Sequence, residues 1–227
     1  MDSDLQSLWI TLQLAGATTL LLLCLGTPLA WFLGRSQHPV RYLLEPLVAL
    51  PIVLPPTVMG FYLLLAFSPD TWLGQSWQTL TGNTLAFSFE ALVIGSVLYS
   101  LPFYVQPVQL AFASLPKGLL EAAATLGASP VDRFFSLILP LSKSGFIAGT
   151  CLAFAHTLGE FGIVLMIGGN IPGETRVLSI ALYDHVEAMQ YGQANRLAAG
   201  LLIFSFLLLF ALYALNRPAR NPGPGTQ

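Results

Sequence analysis

The chain has 227 residues, of which 55% are hydrophobic and 9% charged, with a mean hydropathy of +0.70 and a formal net charge of −2. Soluble domains average about 25% charged residues, so this chain lacks the charge to coat a water-facing surface, and most of that surface faces lipid. The slightly acidic balance excludes an electrostatic partnership with nucleic acid.

A membrane-spanning helix needs about 20 mostly apolar residues. Five segments meet that length, at about residues 8–33, 46–67, 91–113, 145–167 and 197–215. Ahead of the first, Asp2 and Asp4 stand where a cleavable signal peptide would carry basic residues, and the apolar run is too long for such a leader. Cys24 and Cys151 lie within apolar runs and read as small buried hydrophobes, with no disulfide or metal framework. In the second span, Pro51, Pro55 and Pro56 break backbone pairing. Two readings stay open: a kink that aids packing, or a bend lining the translocation path, because irregular backbone in a bilayer is tolerated only against protein or water. Trp72 and Trp77 follow as interfacial anchors.

Between the third and fourth spans, residues 115–127 predict a short helix. Pro116 suits its first turn, the Glu121-Ala122-Ala123-Ala124 run has high propensity, and Gly127 suits a left-handed cap. Leu119, Ala123 and Leu126 share one face of it. Ser129-Pro130-Val131-Asp132 then has the form of a capping box. A second helix starts there, with a kink expected at Pro140. Such a projection serves either as an ordinary connector or as a docking knob.

Four of the spans contain no charged residue, and the fourth along the chain contains His156 and Glu160. Gly145, Gly149, Ala153, His156 and Glu160 fall on one stripe of a helix, so the stripe packs against protein. A charged group at mid-span costs about 3 kcal/mol on insertion scales. At i,i+4 spacing the two are expected to satisfy each other. They act either as an orienting pair or as part of a gate, hinged through Gly159 and Gly162. In the 168–195 segment a short helix is expected from about 175 to 189. Asp184, His185 and Glu187 read as a solvated face rather than a zinc site.

Orientation follows from Lys and Arg. Residues 34–45, 114–144 and 216–227 hold seven, namely Arg35, Arg41, Lys117, Arg133, Lys143, Arg217 and Arg220; the other side holds Arg176 and Arg196. The N-terminus is therefore expected outside and the C-terminus in the cytoplasm. Residues 1–216 read as one transmembrane domain and 217–227, rich in Pro, Gly and Arg, as a disordered cytoplasmic tail. The fold class is an all-α integral membrane protein with about five transmembrane helices.

The loop resembles the signature of ABC-importer permeases: Glu121-Ala122-Ala123, then Gly127, then Leu137, Leu139 and Pro140 at the family's spacing. Leu137 stands where that pattern usually has Ile. The resemblance implies a type I permease fold in a bacterial inner membrane, with residues 115–127 as a coupling helix seated on a cytoplasmic ATPase. It places Glu121, Ala122, Ala123, Gly127, Ser129 and Arg133 at that contact. His156-Thr157-Leu158-Gly159-Glu160-Phe161-Gly162 and Asn170-Ile171-Pro172-Gly173-Glu174-Thr175-Arg176 resemble the molybdate branch, and the sulfate branch is similar through the first of these. Leu50–Pro56 and Thr125-Leu126-Gly127-Ala128 resemble it too.

The implied partners are two ATPase subunits, an external molybdate-binding protein and a second copy of the chain. The translocation path or gate would draw on Pro55, Pro56, His156, Gly159, Glu160 and Gly162. No cofactor is expected, and no G-x-x-x-x-G-K-[ST] loop occurs, so the chain is not expected to hydrolyse ATP. The alternatives are tungstate, sulfate or thiosulfate as cargo, or an ion-coupled transporter using His156 and Glu160 as a proton relay. A membrane-embedded enzyme is weakened by the lack of a cluster of nucleophile, base and metal ligands.

Overall fold

A computed structural model describes residues 2–215, all of them in helices or their connections. The expectations for the tail, with Arg217 and Arg220, lie outside the described residues.

The first span is one long helix, Ser3–Arg35, made of α1 (Asp2–Leu21), a π-helical turn at Leu22–Gly26 and α2 (Thr27–Arg35). The turn sits where Thr27 Oγ1 reaches both Leu23 O, at 2.6 Å, and Tyr104 Oη, at 2.7 Å. Inserted side-chain bonding of this kind widens a helix locally. Cys24, expected to be buried, is exposed on this turn.

The second span is broken. α3 (Arg41–Val53) and α4 (Pro56–Phe67) meet at an angle of 112°. Leu54 and Pro55 both adopt ψ 135°, because a residue before proline is pushed out of the helical region. Pro55 and Pro56 also lack the N–H groups that would continue the ladder. Pro51 stays inside α3.

Next comes α5 (Trp72–Thr81), a short helix that the loop reading missed. Thr71 caps its start by accepting from the Gly74 N–H at 3.1 Å, and Gly82 ends it at φ 78°. α6 (Phe89–Ala113) is the central post, packed by α1, α2, α3 and two later helices, α10 (Lys143–Leu158) and α11 (Gly162–Gly168). Ser88 caps it, accepting from the Ala91 N–H at 3.1 Å.

Beyond α6 lie α7 (Lys117–Thr125), α8 (Pro130–Arg133), a π-helical turn at Phe134–Ile138 and α9 (Leu139–Leu141). α10 (Lys143–Leu158) then turns away by 74°. The kink expected at Pro140 falls two residues later, at Ser142 (φ −98°, ψ 7°). α10 stops before the fourth predicted span is complete. Gly159, Glu160 and Phe161 interrupt it, and α11 (Gly162–Gly168) resumes the helix. The last elements are α12 (Leu178–Glu187), close to the expected 175–189 helix, and α13 (Tyr191–Leu215).

Among the described residues, three helices are long and apolar enough to cross a membrane, or up to five if each bent pair is one span. The small-residue stripe behaves as expected. A Cβ at Gly145 or Gly149 would lie 2.8 Å from the carbonyl oxygens of Pro107 and Tyr104, so α10 rides directly on α6. Two apolar clusters result. One gathers Leu14, Phe67, Leu92, Ile163 and Ile167; the other gathers Leu22, Leu33, Tyr104, Val108 and Phe112. α13 is the exception, since only 6% of its spanning window is buried within the chain.

Candidate functional site

Two places carry polar or irregular structure that the packing does not require. The first is the projection between α6 and α10. α7 buries no residue, and Leu119, Leu126 and Val131 are 40%, 88% and 66% exposed. Gly127 takes φ +86°. Its N–H reaches Ala124 O at 3.0 Å, and the Ala128 N–H reaches Ala123 O at 3.1 Å, the paired bonds of a Schellman cap. Ser129 Oγ then accepts from the Asp132 N–H at 3.1 Å and starts α8.

The six residues expected at the ATPase contact are thus on one stiff corner. Glu121, Ala122, Gly127 and Ser129 are exposed on it, while Ala123 and Arg133 are half-buried. Arg133 lines a groove of about 560 Å³ with Leu23, Thr27, Trp31 and Leu120, and its Nε has no partner among the described residues. The corner is rooted by a residue the sequence did not single out. Arg35 donates from Nη1 to Leu115 O at 2.7 Å and lies 5.7 Å over the Trp31 ring.

The second place is where the two broken spans meet. α4 and α11 pack together so closely that a Cβ at Gly162 would stand 2.8 Å from Pro56 Cβ. The two interruptions, far apart in sequence, are neighbours in space. Pro55 and Gly159 are exposed beside them. Gly159 itself sits at φ −92°, open to any residue, and nothing lies closer than 4.0 Å to its Cβ position. The need for glycine lies at Gly162, not at Gly159.

His156 and Glu160 do not satisfy each other. Helical geometry ends at Leu158, so the i,i+4 register that would align them is lost. His156 Nδ1 instead meets Ser100 Oγ at 2.9 Å, and its ring stacks on Phe103 at 4.0 Å between centroids. Ser100 Oγ also contacts Thr157 Oγ1 at 3.0 Å. Glu160 is 5% exposed, and neither carboxyl oxygen has a hydrogen-bond partner among the described residues. Ser96 Oγ faces it outside hydrogen-bonding geometry. Its backbone carbonyl is held by Ser179 Oγ at 2.6 Å, from α12. No hydrogen bond joins His156 to Glu160 as a proton relay between them would need.

Asp184, His185 and Glu187 form ties rather than a freely solvated face. Asp184 accepts from Asn170 Nδ2 at 2.9 Å and pairs with Arg176 at 3.6 Å; Glu187 accepts from Tyr183 Oη at 2.6 Å. His185 meets Gln190 Oε1 at 2.9 Å and Asp4 Oδ1 at 3.1 Å. Among the described residues no three His, Cys, Asp or Glu side chains gather as a metal site. The contacts of His185, Gln190 first and then Asp4, raise its pKa above the usual 6.5. A raised folded-state value contributes stability that is fully present below about pH 6.5 and is lost as pH rises through it. His185→Gln should therefore lower the melting midpoint of detergent-solubilised protein at about pH 5.5 and change it little at about pH 8.5. A difference constant across pH would count against this tie.

A membrane bundle with a projecting capped helix and two adjoining broken spans is the transmembrane part of a transporter. The chain belongs to the family of binding-protein-dependent transport system inner membrane components, whose model matches residues 26–219. It is 53% identical to the molybdenum transport system permease protein ModB of Azotobacter vinelandii, over 95% of this chain and 96% of that protein. It is 37% identical to ModB of Escherichia coli K12, over 82% and 81%, and 34% identical to the sulfate transport system permease protein CysT of the same organism, over 84% and 69%. The fold matches solved ABC transporters. A chain of the bacterial alginate transporter aligns with TM-score 0.75 at 16% identity, over 94% of this chain and 78% of that one. A chain of the MetNI methionine transporter in its inward-facing form aligns at 0.68 and 18%, over 93% of both.

Proposed function

We propose that this chain is the membrane-spanning permease of an ATP-driven importer that carries molybdate across the bacterial inner membrane. The observation that carries this reading is the 53% identity to a molybdenum permease along nearly the whole of both chains. The chain works as a homodimer, with its N-terminus outside, its C-terminus in the cytoplasm and α7 docked on an ABC ATPase subunit. An external binding protein delivers the anion. The seven-to-two distribution of Lys and Arg supports that orientation.

The geometry supports alternating access in a specific way. ATP binding draws the two ATPase subunits together and moves the α7–α8 corner, whose exposed Leu119, Leu126 and Val131 offer apolar grip. The corner continues through α9 into α10, and α10 ends at the break beside Pro56. Pro55, Pro56, Gly159, Glu160 and Gly162 line or gate the path, since broken helices at membrane depth are tolerated where they face water or protein. His156 acts as a packing anchor behind them through Ser100 and Phe103.

The test is ATP-dependent uptake of labelled molybdate into proteoliposomes holding the whole complex and its binding protein. Uptake of molybdate with sulfate unable to compete supports the proposal. Uptake of sulfate in preference overturns it in favour of the second reading, a sulfate permease, which the 34% identity to CysT supports.

A further inference from the structure

A groove of about 370 Å³ runs between α1, α12 and α13. Leu5, Leu8, Leu12, Leu197, Leu201 and Phe204 form its walls. Asp4 in the first turn of α1 and Arg196 near the start of α13 stand at the same end of it. Its volume falls in the range of small-molecule sites. The groove opens onto the flank of α13, where only 6% of the spanning window is buried within this chain and the mean hydropathy is 2.5, a flank whose composition suits a hydrocarbon medium.

Gly200 lies in the groove wall, and a Cβ there would meet nothing within 4 Å. A glycine inside a helix costs about 1 kcal/mol relative to alanine, and no close approach among the described residues accounts for it. Space kept open at that point suits a group from outside the chain.

We propose that this groove binds a zwitterionic phospholipid with a primary ammonium headgroup. One acyl chain lies along the leucine wall, the phosphate meets Arg196, and the ammonium meets Asp4. Charge complementarity selects this class. A guanidinium matches the phosphate oxygens with paired donors. Asp4 gives one carboxyl oxygen, Oδ1, to His185 at 3.1 Å, and its carboxylate has further lone pairs for an ammonium N–H. A choline headgroup has no N–H to donate, and a purely anionic headgroup meets the Asp4 carboxylate.

Native mass spectrometry on the complete transporter complex tests the site. The complex is equilibrated with ethanolamine, choline and glycerol phospholipids of identical acyl chains. Ethanolamine lipid should be retained over the other two by about tenfold, the equivalent of one good polar contact. Gly200→Leu fills the groove with a strong helix former that has room, and Arg196→Gln removes the phosphate ligand; each should abolish the preference. Equal retention of all three lipids by the unmodified complex, or undiminished retention in either variant, overturns the assignment. So does efficient disulfide cross-linking of Gly200→Cys between two copies, which would place a second chain in the groove. None of these readouts depends on which anion is carried.

Discussion

Gly127→Val should reduce ATP-driven transport about tenfold while leaving the membrane bundle folded. At φ +86° a β-branched residue is strained by about 1–2 kcal/mol. α7 buries nothing that would hold it in place against that strain. The Schellman bonds from the Gly127 and Ala128 N–H groups are then lost, and with them the fixed angle between α7 and α8. Each 1.4 kcal/mol is about tenfold in an equilibrium constant, so association with the ATPase falls in proportion. Gly127→Asn should be milder, because Asn tolerates the left-handed region. Pull-down of the ATPase from detergent extracts gives the readout, alongside uptake. Glu121→Arg should weaken the same contact without straining the backbone. Full-strength pull-down with both Gly127→Val and Glu121→Arg would remove α7 as the docking element.

Gly162→Ala should be as damaging to transport, for a reason lodged in the membrane. Its new Cβ would lie 2.8 Å from Pro56 Cβ, a ring carbon attached to backbone that cannot swing aside. The two breaks must separate, at a cost typical of overpacking, about 1–3 kcal/mol. The double-mutant cycle makes the test sharp. Pro56→Gly removes the opposing carbon, so adding it to Gly162→Ala should restore part of what the single change lost. Coupling of the two effects places the breaks in contact during transport. Strict additivity, or normal uptake by Gly162→Ala, would separate them.

How much of this was legible from residues alone follows the range of the forces involved. Gly127 and Ser129 act on neighbours within four positions, so their caps were readable directly, and both form. The Gly145–Gly149 stripe was readable too, because helical periodicity brings it to one face regardless of what lies opposite. The sharp bend at Pro55 was half visible. Two adjacent prolines announce a break, but the 112° angle depends on where α6 and α11 offer α4 a surface. His156 and Glu160 went wrong because their spacing has meaning only if the helix continues, and it stops at Leu158. The partner His156 takes instead, Ser100, sits 56 residues away, and the Glu160 carboxylate has no hydrogen-bond partner among the described residues. Arg35 was missed for a like reason: its contact with Leu115 spans 80 residues. The close approach of Gly162 to Pro56 could not have been deduced, whereas helix amphipathicity in 72–81 was present and overlooked.

The hydrogen bond from Ser179 to the Glu160 carbonyl ties the loose end of α10 to a helix on the far rim of the bundle. A carbonyl left bare at that depth would be expensive, so separating the Ser179 hydroxyl from it is opposed. On the proposed path, pressure on α12 from the rim would therefore reach the interruption in the fourth span through this bond. In the orientation proposed above, mechanical information would have two entrances to the same few residues, one from each face of the membrane.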